Sequence, residues 1–432
     1  MSSVFSYPAR LHDRVLTAAG EVEELARAAV RHLRSGGRLG SAAALPGRYG
    51  HAEVASRALP EDAPTGPPIL YLPAVSWSYR FQRPQHLALA LARAGHPVLY
   101  VDGFLRSHLL MLRRHVLYSH GGLHVLRIRI PGRPDPYREP LGRRVAVQLT
   151  ETILDGLHHE RPLMVLVQLP FWAELGRELA RRLAIPLVYD RIDLHAGFPG
   201  VPAAIETVEA RLIRQADLVC ATAGLLAERP REVSPQVLLL PNGVDLGAFP
   251  APAVTREAAA RGTTIGYVGA LGPWFDVEAV EAAARALPAW RFRLAGQVED
   301  PEVAALAGLP NLETLGEIPF GDVPGFLSGL DVALVPFRDL PLTRAVDPVK
   351  LYEALAMGLP VVARRLPETA RWAEPLVYLY DGPEDFVRQV RRAVTEQTPE
   401  IARERRRVAE GESWDRRAAE LLRALTLCPS KA

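Results

Sequence analysis

At 432 residues the chain is too long for one ordinary core, so two domains of roughly 200 residues are expected. Apolar residues make up 48% and charged residues 23%, a soluble globular balance, and two cysteines exclude a disulfide framework or a cysteine-based zinc site. A net charge of +2 gives no reason to expect nucleic acid, and no apolar run approaches the ~20 residues of a membrane span. The N-terminus has no signal-peptide core, so a cytoplasmic protein is expected, with peripheral contact at the inner face of the membrane left open.

Residues 1–66 read as an addition. Leu11, Val15, Ala18, Val22, Leu25 and Ala29 recur at helical spacing and predict an amphipathic helix ending near Ser35, Gly36 and Gly37. Its polar face mixes both charge signs, which favours packing on the main body over lying on a membrane. Residues 38–68, rich in Gly, Pro and Ala, read as a linker.

From Ile69 strands and helices alternate. Strands are expected at 69–74, 97–102, 123–130, 163–169, 186–193, 217–222 and 237–242, with a helix from about Arg83 to Ala94. A second series follows the Pro-rich stretch 250–253. Its strands are expected at 263–270, 291–297, 312–318, 331–337, 361–363 and 376–381, with a helix from about Asp276 to Ala286 and an Arg-rich helical tail over 383–427. The reading is α/β: two Rossmann-like, doubly wound parallel-sheet domains, 67–249 and 250–410, facing a cleft, with a last helical segment over 411–432. Ligands of such folds bind outside the C-terminal ends of the strands.

Residues 344–362 form the most informative stretch. Asp347 reads as an N-cap and Pro348 as the first helical residue. Leu351, Ala354, Leu355 and Met357 carry the helix, Gly358 ends it, and Pro360 opens a strand. Free backbone N–H groups around Val349 and Lys350, backed by the helix dipole, suit a diphosphate. Lys350 and Glu353 are three apart and share a face. A cation for phosphate beside a carboxylate for sugar or ribose hydroxyls describes a nucleotide-sugar pocket; an ordinary ion pair on a surface helix is the plainer alternative. Lys350 is the one lysine outside the terminal tail, which holds Lys431, and Asn242 is one of two asparagines, with Asn311.

Five segments, PNGVD (241–245), IGYVGALG (265–272), RFRLAGQ (291–297), DVALVPF (331–337) and DPVKLYEALAMGLPVV (347–362), stand in the order and spacing of retaining GT-B glycosyltransferases. The chain resembles glycosyltransferase family 4 (group 1) and its neighbours over roughly residues 69–427. SWSYRFQRPQH (76–86) and YDRIDLHAGF (189–198) look like a branch of teichuronic-acid and other envelope-polysaccharide glycosyltransferases. The resemblance implies a GT-B fold, with the acceptor on the N-terminal domain, the donor on the C-terminal one and the last helix packing back across the cleft. It implies transfer of a sugar from a nucleoside diphosphate sugar to an acceptor hydroxyl with retention, without a metal or other cofactor. The acceptor would be a glycan, a lipid-linked molecule or a small molecule.

Residue roles follow from the resemblance unevenly. Glu353 matches the second glutamate of the family's E-x7-E motif, which contacts the donor ribose, whereas the first falls on Ala345. The family's diphosphate-binding Arg and Lys are missing from the loop Ala270 to Asp276, and Arg344 and Lys350 are the expected substitutes. The expected donor set is Asn242, Gly269, Trp274, Gln297, Arg344, Asp347, Val349, Lys350, Leu351 and Glu353. Trp274 either covers the base or sugar, or anchors the start of a helix. Where the family has a glycine-rich loop, this chain has Arg80, Phe81, Gln82 and Arg83, the expected acceptor set; pairing of Arg80 and Arg83 with acidic residues across the cleft is the alternative. Asp193, His195 and Glu353 are the catalytic candidates, with His195 placing or deprotonating the acceptor hydroxyl. The competing class is a degenerate GT-B protein that binds a sugar or a partner without turnover, as Ala345 and the cation-free loop would allow.

Overall fold

Short runs of consecutively buried residues build two sheets, as strands covered by helices on both faces require. The computed structural model describes residues 51–428 apart from 62–63, 108–112, 132–138, 156, 158–160, 199, 235 and 252–261. The expected helix over residues 11–29 lies outside them. The first sheet contains β1 (Ile69–Leu72), β2 (Val98–Ser107), β3 (Arg113–His120), β4 (Leu123–Pro131), β5 (Met164–Val167), β6 (Leu187–Arg191), β7 (Leu218–Ala221) and β8 (Val237–Leu239). Its order is β3-β4-β2-β1-β5-β6-β7-β8, and only β3 is antiparallel. The second contains β9 (Thr264–Val268), β10 (Arg291–Ala295), β11 (Leu312–Gly316), β12 (Val332–Val335), β13 (Val361–Arg364) and β14 (Val377–Tyr380). It is wholly parallel, in the order β11-β10-β9-β12-β13-β14. The order reverses direction between β1 and β5 in one sheet and between β9 and β12 in the other. Those are the two switch points where a doubly wound sheet opens a crevice.

Fourteen α-helices complete the described chain: α1 (His51–Ala58), α2 (Arg83–Arg93), α3 (Arg143–Leu154), α4 (Ala173–Leu183), α5 (Ala204–Gln215), α6 (Gly224–Val233), α7 (Val277–Ala286), α8 (Pro301–Ala305), α9 (Val323–Ser328), α10 (Pro341–Arg344), α11 (Val349–Ala356), α12 (Pro383–Thr395), α13 (Pro399–Glu410) and α14 (Trp414–Thr426). Among them no helix is long and apolar enough to cross a membrane. Two expectations are corrected. The linker 38–68 contains α1, whose Ala55 is buried in the N-terminal lobe with Leu59 just beyond it, while Ser56 Oγ lies 3.1 Å from Tyr118 Oη. Strand β3 was not expected, because its paired arginines masked the apolar alternation. The signal for it was Gly121-Gly122, whose φ angles of +54° and +82° turn β3 tightly into β4. The tail is helical as expected and divides into three helices, the second and third started by N-caps at Thr398 and Ser413, which accept from Ile401 N and Arg416 N.

The last helix, α14, crosses to the other lobe. Trp414, Ala418, Leu421 and Leu425 are buried in one cluster with Ile69, Leu87, Leu91 and Val188. The described chain therefore passes between the lobes twice. The two passages lie side by side, with Val244 N donating to Glu412 O at 2.9 Å and Trp414 N to Val244 O at 3.2 Å.

Candidate functional site

The C-terminal end of β9 opens onto the crevice at Gly269, which has φ +139°. A side chain there would sit 2.9 Å from Lys350 Nζ, so glycine leaves room for the ammonium. Lys350 reaches this point from the first turn of α11. Its Nζ lies 4.9 Å from the Tyr267 ring centroid, 5.0 Å from that of Phe337 and 3.4 Å from Tyr267 Oη. Tyr267 belongs to β9 and Phe337 follows β12, so the ammonium stands on the switch point between two aromatic faces. Among the described residues no carboxylate lies within ion-pair distance of it. Burial pushes its pKa down to about 8, with Arg80 adding to the fall and Glu353 opposing it. Glu353, one turn on, is buried, and burial pushes its carboxyl up to about 7 against the pull of Lys350. A half-desolvated cation with no counter-ion is a place where an anion gains.

Helix α11 starts one residue later than expected. Pro348 is the N-cap and Val349 the first helical residue, and no side chain caps it. Asp347 points inward instead. Its carboxylate accepts from Asn242 N at 2.6 Å and from Tyr352 Oη at 2.8 and 2.9 Å, while Asn242 Nδ2 donates to Asp347 O at 2.6 Å. Asn242 also accepts from Arg83 through Oδ1 at 3.1 Å and from Arg417 through its backbone oxygen at 3.0 Å. Asn242 and Asp347, both expected at the donor, thus form a buried pin between the lobes that sets where α11 begins. Val349 packs partly against the core of the N-terminal lobe, and Leu351 is fully buried in that of its own lobe.

Arg344 does not join Lys350. Its guanidinium is held by Asp339 at 2.5 and 2.9 Å and lines a separate open hollow of about 380 Å³ with Leu225, Arg365 and Pro367. Ala345 is 3% exposed and packs with Ala221, Ala223, Leu226 and Ala227 of the facing lobe. That small apolar nest has no room for a carboxylate. Ala345→Glu should therefore lower the melting temperature, at a cost of about 2–5 kcal/mol, without tightening nucleotide binding. A thermal melt and a binding isotherm check both, and tighter binding would restore this position to the site.

Across the cleft, Arg80 follows β1 and meets the C-terminal lobe. Its Nε donates to Glu317 at 2.6 Å, and its Nη2 to Glu299 at 3.1 Å and to Gln297 at 3.4 Å. Phe81 stacks on Phe320 at 4.7 Å, and Gln82 stands at the start of α2 as its N-cap. Arg83 is 3% exposed and grips Asp190 through two bonds of 2.8 and 2.9 Å. Of the two arginines, Arg80 is thus paired across the cleft and Arg83 is turned into its own lobe. Trp274 is half-buried below Gly272 and meets Phe198 of the facing lobe edge-on at 6.4 Å. Asp193 is half-buried, and burial pushes its pKa up to about 7 against Arg83. His195 was expected as a loop residue at the cleft; it sits in a short 3-10 turn, 7% exposed, with Nε2 3.2 Å from Gln168 O. Burial lowers its pKa, so the ring is neutral and Nε2–H donates to that carbonyl. Among the described residues no group of three or more His, Cys, Asp or Glu is placed to hold a metal ion.

Two acidic residues of the site, Glu299 and Glu317, went unnoticed in the sequence, since nothing in a lone glutamate after a strand signals that it faces an arginine from another lobe.

Residues 262–396 match the family model described as glycosyl transferases group 1. Over 226 residues the chain is 30% identical to a candidate teichuronic acid biosynthesis glycosyltransferase, TuaH, of Bacillus subtilis (strain 168), the match covering 49% of this chain and 57% of that protein. The chain thus spans little more than half of that relative. Sucrose-phosphate synthase from Thermosynechococcus elongatus superposes with a TM-score of 0.65 at 17% identity, over 84% of this chain and 100% of that one. Anabaena Alr3699/HepE in complex with UDP and glucose gives 0.59 at 17% over 84% and 100%. Trehalose 6-phosphate synthase from Burkholderia multivorans gives 0.59 at 13% over 84% and 99%. At these identities the likeness shows the shared two-lobed architecture.

Proposed function

Starting from residues 262–396 as a group 1 glycosyl transferase domain within a GT-B fold, we propose that the chain transfers a sugar from a nucleoside diphosphate sugar to an acceptor hydroxyl. The observation that carries this reading is Lys350, an ammonium without a carboxylate partner among the described residues, set on the β9–β12 switch point. The donor diphosphate lies against Lys350 and the first turn of α11, where dipole and charge both favour an anion. Glu353 faces the ribose or sugar hydroxyls. As the bond to the sugar breaks, charge grows on the diphosphate, and the same groups hold it more strongly than in the ground state.

The acceptor enters from the N-terminal lobe, past Asp193 and the loop of Arg80. Asp193, whose carboxyl burial raises to about 7, is the stronger base of the two, since burial lowers His195 and its Nε2–H is spent on Gln168 O. The reaction proceeds with retention and without a metal, and the acceptor class is an envelope glycan or its lipid-linked precursor. These finer points rest on the resemblance and on the name of the Bacillus subtilis relative. They are checked by the anomeric configuration of the product and by activity in chelator. The buried Ala345 and the outward Arg344 favour one other reading, a GT-B protein that binds without turnover. Slow release of free sugar from the donor, with no acceptor present, separates the two.

A thermal-shift series with UDP, GDP, ADP and TDP and their sugars tests the donor directly. UDP and UDP-glucose come first, because solved neighbours hold them. A ligand at 100 times its dissociation constant stabilises by about 2.7 kcal/mol, a plainly visible shift. One nucleotide should stand out, and a flat response to all of them would overturn the reading.

A further inference from the structure

The loop after β9, Ala270 to Asp276, carries no cation, so the C-terminal lobe offers a diphosphate one ammonium, Lys350. A second positive group is present at the same crevice, supplied by the opposite lobe. Arg80 lies against Gln297 and Glu299, which follow β10, and near enough to Lys350 and Tyr267 that its charge acts on both.

The loop that presents it is fixed. Gln85 Nε2 donates to Ser76 O and to Arg80 O, each at 3.2 Å. Ser76 Oγ donates to Asp102 at 2.8 Å, the Trp77 backbone N–H donates to the same carboxylate, and Arg127 closes it from the other side. The backbone at Arg80 is therefore held, and the guanidinium is the adjustable part. Its side chain is 17% exposed, and its partners Glu299 and Glu317 are 33% and 20% exposed.

We propose that Arg80 is the second diphosphate-positioning cation of the site, delivered across the cleft, and that Glu299 and Glu317 hold its guanidinium there until the donor phosphates take over part of its hydrogen bonding. This rests on the nucleoside-diphosphate reading above. A planar fork with several donors can keep one carboxylate and still turn a two-donor edge to a phosphate, where a lysine offers only single bonds from a point charge. Two phosphates are the natural partner, since Lys350 from one lobe and Arg80 from the other then share them. Donor binding and lobe-to-lobe contact become one event.

The test compares UDP with UMP, which lacks the second phosphate, on wild type, Arg80→Gln and Arg80→Lys, with circular dichroism confirming the fold. Wild type should bind UDP more tightly than UMP. Arg80→Gln should weaken UDP at least tenfold and UMP less than threefold, and Arg80→Lys should recover only part of the loss. Equal loss for both ligands would reduce Arg80 to a strut between the lobes, and an unchanged UDP affinity would remove it from the site; either result overturns the proposal. If wild type binds no nucleoside diphosphate, the parent reading has failed, and this one falls with it. Glu317→Gln, which loosens the guanidinium without removing it, should leave UDP binding equal or tighter.

Discussion

Lys350→Ala should weaken nucleoside-diphosphate binding by about 1.5–3 kcal/mol, roughly 10- to 150-fold, while the protein stays folded and melts no lower than wild type. The two halves of that result have one cause. In the free protein the ammonium sits half-desolvated between Tyr267 and Phe337, which favours its neutral form and holds its pKa near 8 against 10.5 for an ordinary lysine. Removing it relieves that strain on folding but takes away the charge that a diphosphate needs. The pH dependence follows with its sign fixed. Below about pH 8 the ammonium is charged; above it the free protein has lost the proton that the complex requires, and the dissociation constant rises. Folding responds in the opposite sense. Between about pH 8 and 10.5 the unfolded chain binds more protons than the folded one at this residue, so its contribution to stability rises with pH. Isothermal titration of UDP on either side of about pH 8 checks the first effect, and melts of both proteins check the second. Affinity that is the same in the variant, or that has no break near pH 8, would take Lys350 out of the site.

Arg83→Ala should cost about 3–5 kcal/mol of folding stability, enough to unfold a marginal protein. The reason is the charge left behind. Arg83 and Asp190 have side-chain exposures of 4% and 1%, and the carboxylate is held by the guanidinium and by Gln168 Nε2 at 2.9 Å. Arg83 also donates to Pro241 O and Asn242 Oδ1, each at 3.1 Å, and lies over the Trp414 ring at 5.8 Å. Truncation strands a buried anion and loosens the pin at Asn242 together. Arg83→Met combined with Asp190→Asn should recover much of the loss, because replacing both charges removes the desolvation cost with the attraction. Denaturant unfolding of the single and double variants measures this. A single variant of wild-type stability with a raised acceptor KM would return Arg83 to the acceptor set.

Arg83 also shows how far the sequence could be read. The strands other than β3, the two-sheet plan and, to within one residue, the start of α11 were legible because they depend on local spacing: apolar runs between turns, Pro348 at a helix start, Gly358 with φ +72° at its end. Lys350, which the structure puts at the crevice beside Gly269, drew notice for a chemical reason, since one lysine in the body of an arginine-rich chain stands out. What was hidden is which way a polar side chain faces. Arg80 and Arg83 are three residues apart on one loop-to-helix junction, yet one reaches across the cleft and the other plugs its own lobe. Nothing between them in the sequence marks the difference, which depends on Asp190 and Glu317, far off along the chain. Asp347 failed as a cap for the same reason. It is an ordinary N-cap residue until Asn242, brought over by the other lobe, offers it a better donor.

The placement of α14 has a consequence for how the molecule is made. The N-terminal lobe is the first of the described lobes to leave the ribosome, yet the cluster around Ile69, Leu87, Leu91 and Val188 is not complete until Trp414, Ala418, Leu421 and Leu425 arrive, a whole lobe later. During synthesis that lobe waits with an apolar flank open to water, and to chaperones or neighbouring nascent chains. It is sealed only when the last helix comes home, so nascent chains stalled before Trp414 should be sticky and easily proteolysed, however well the second lobe has formed.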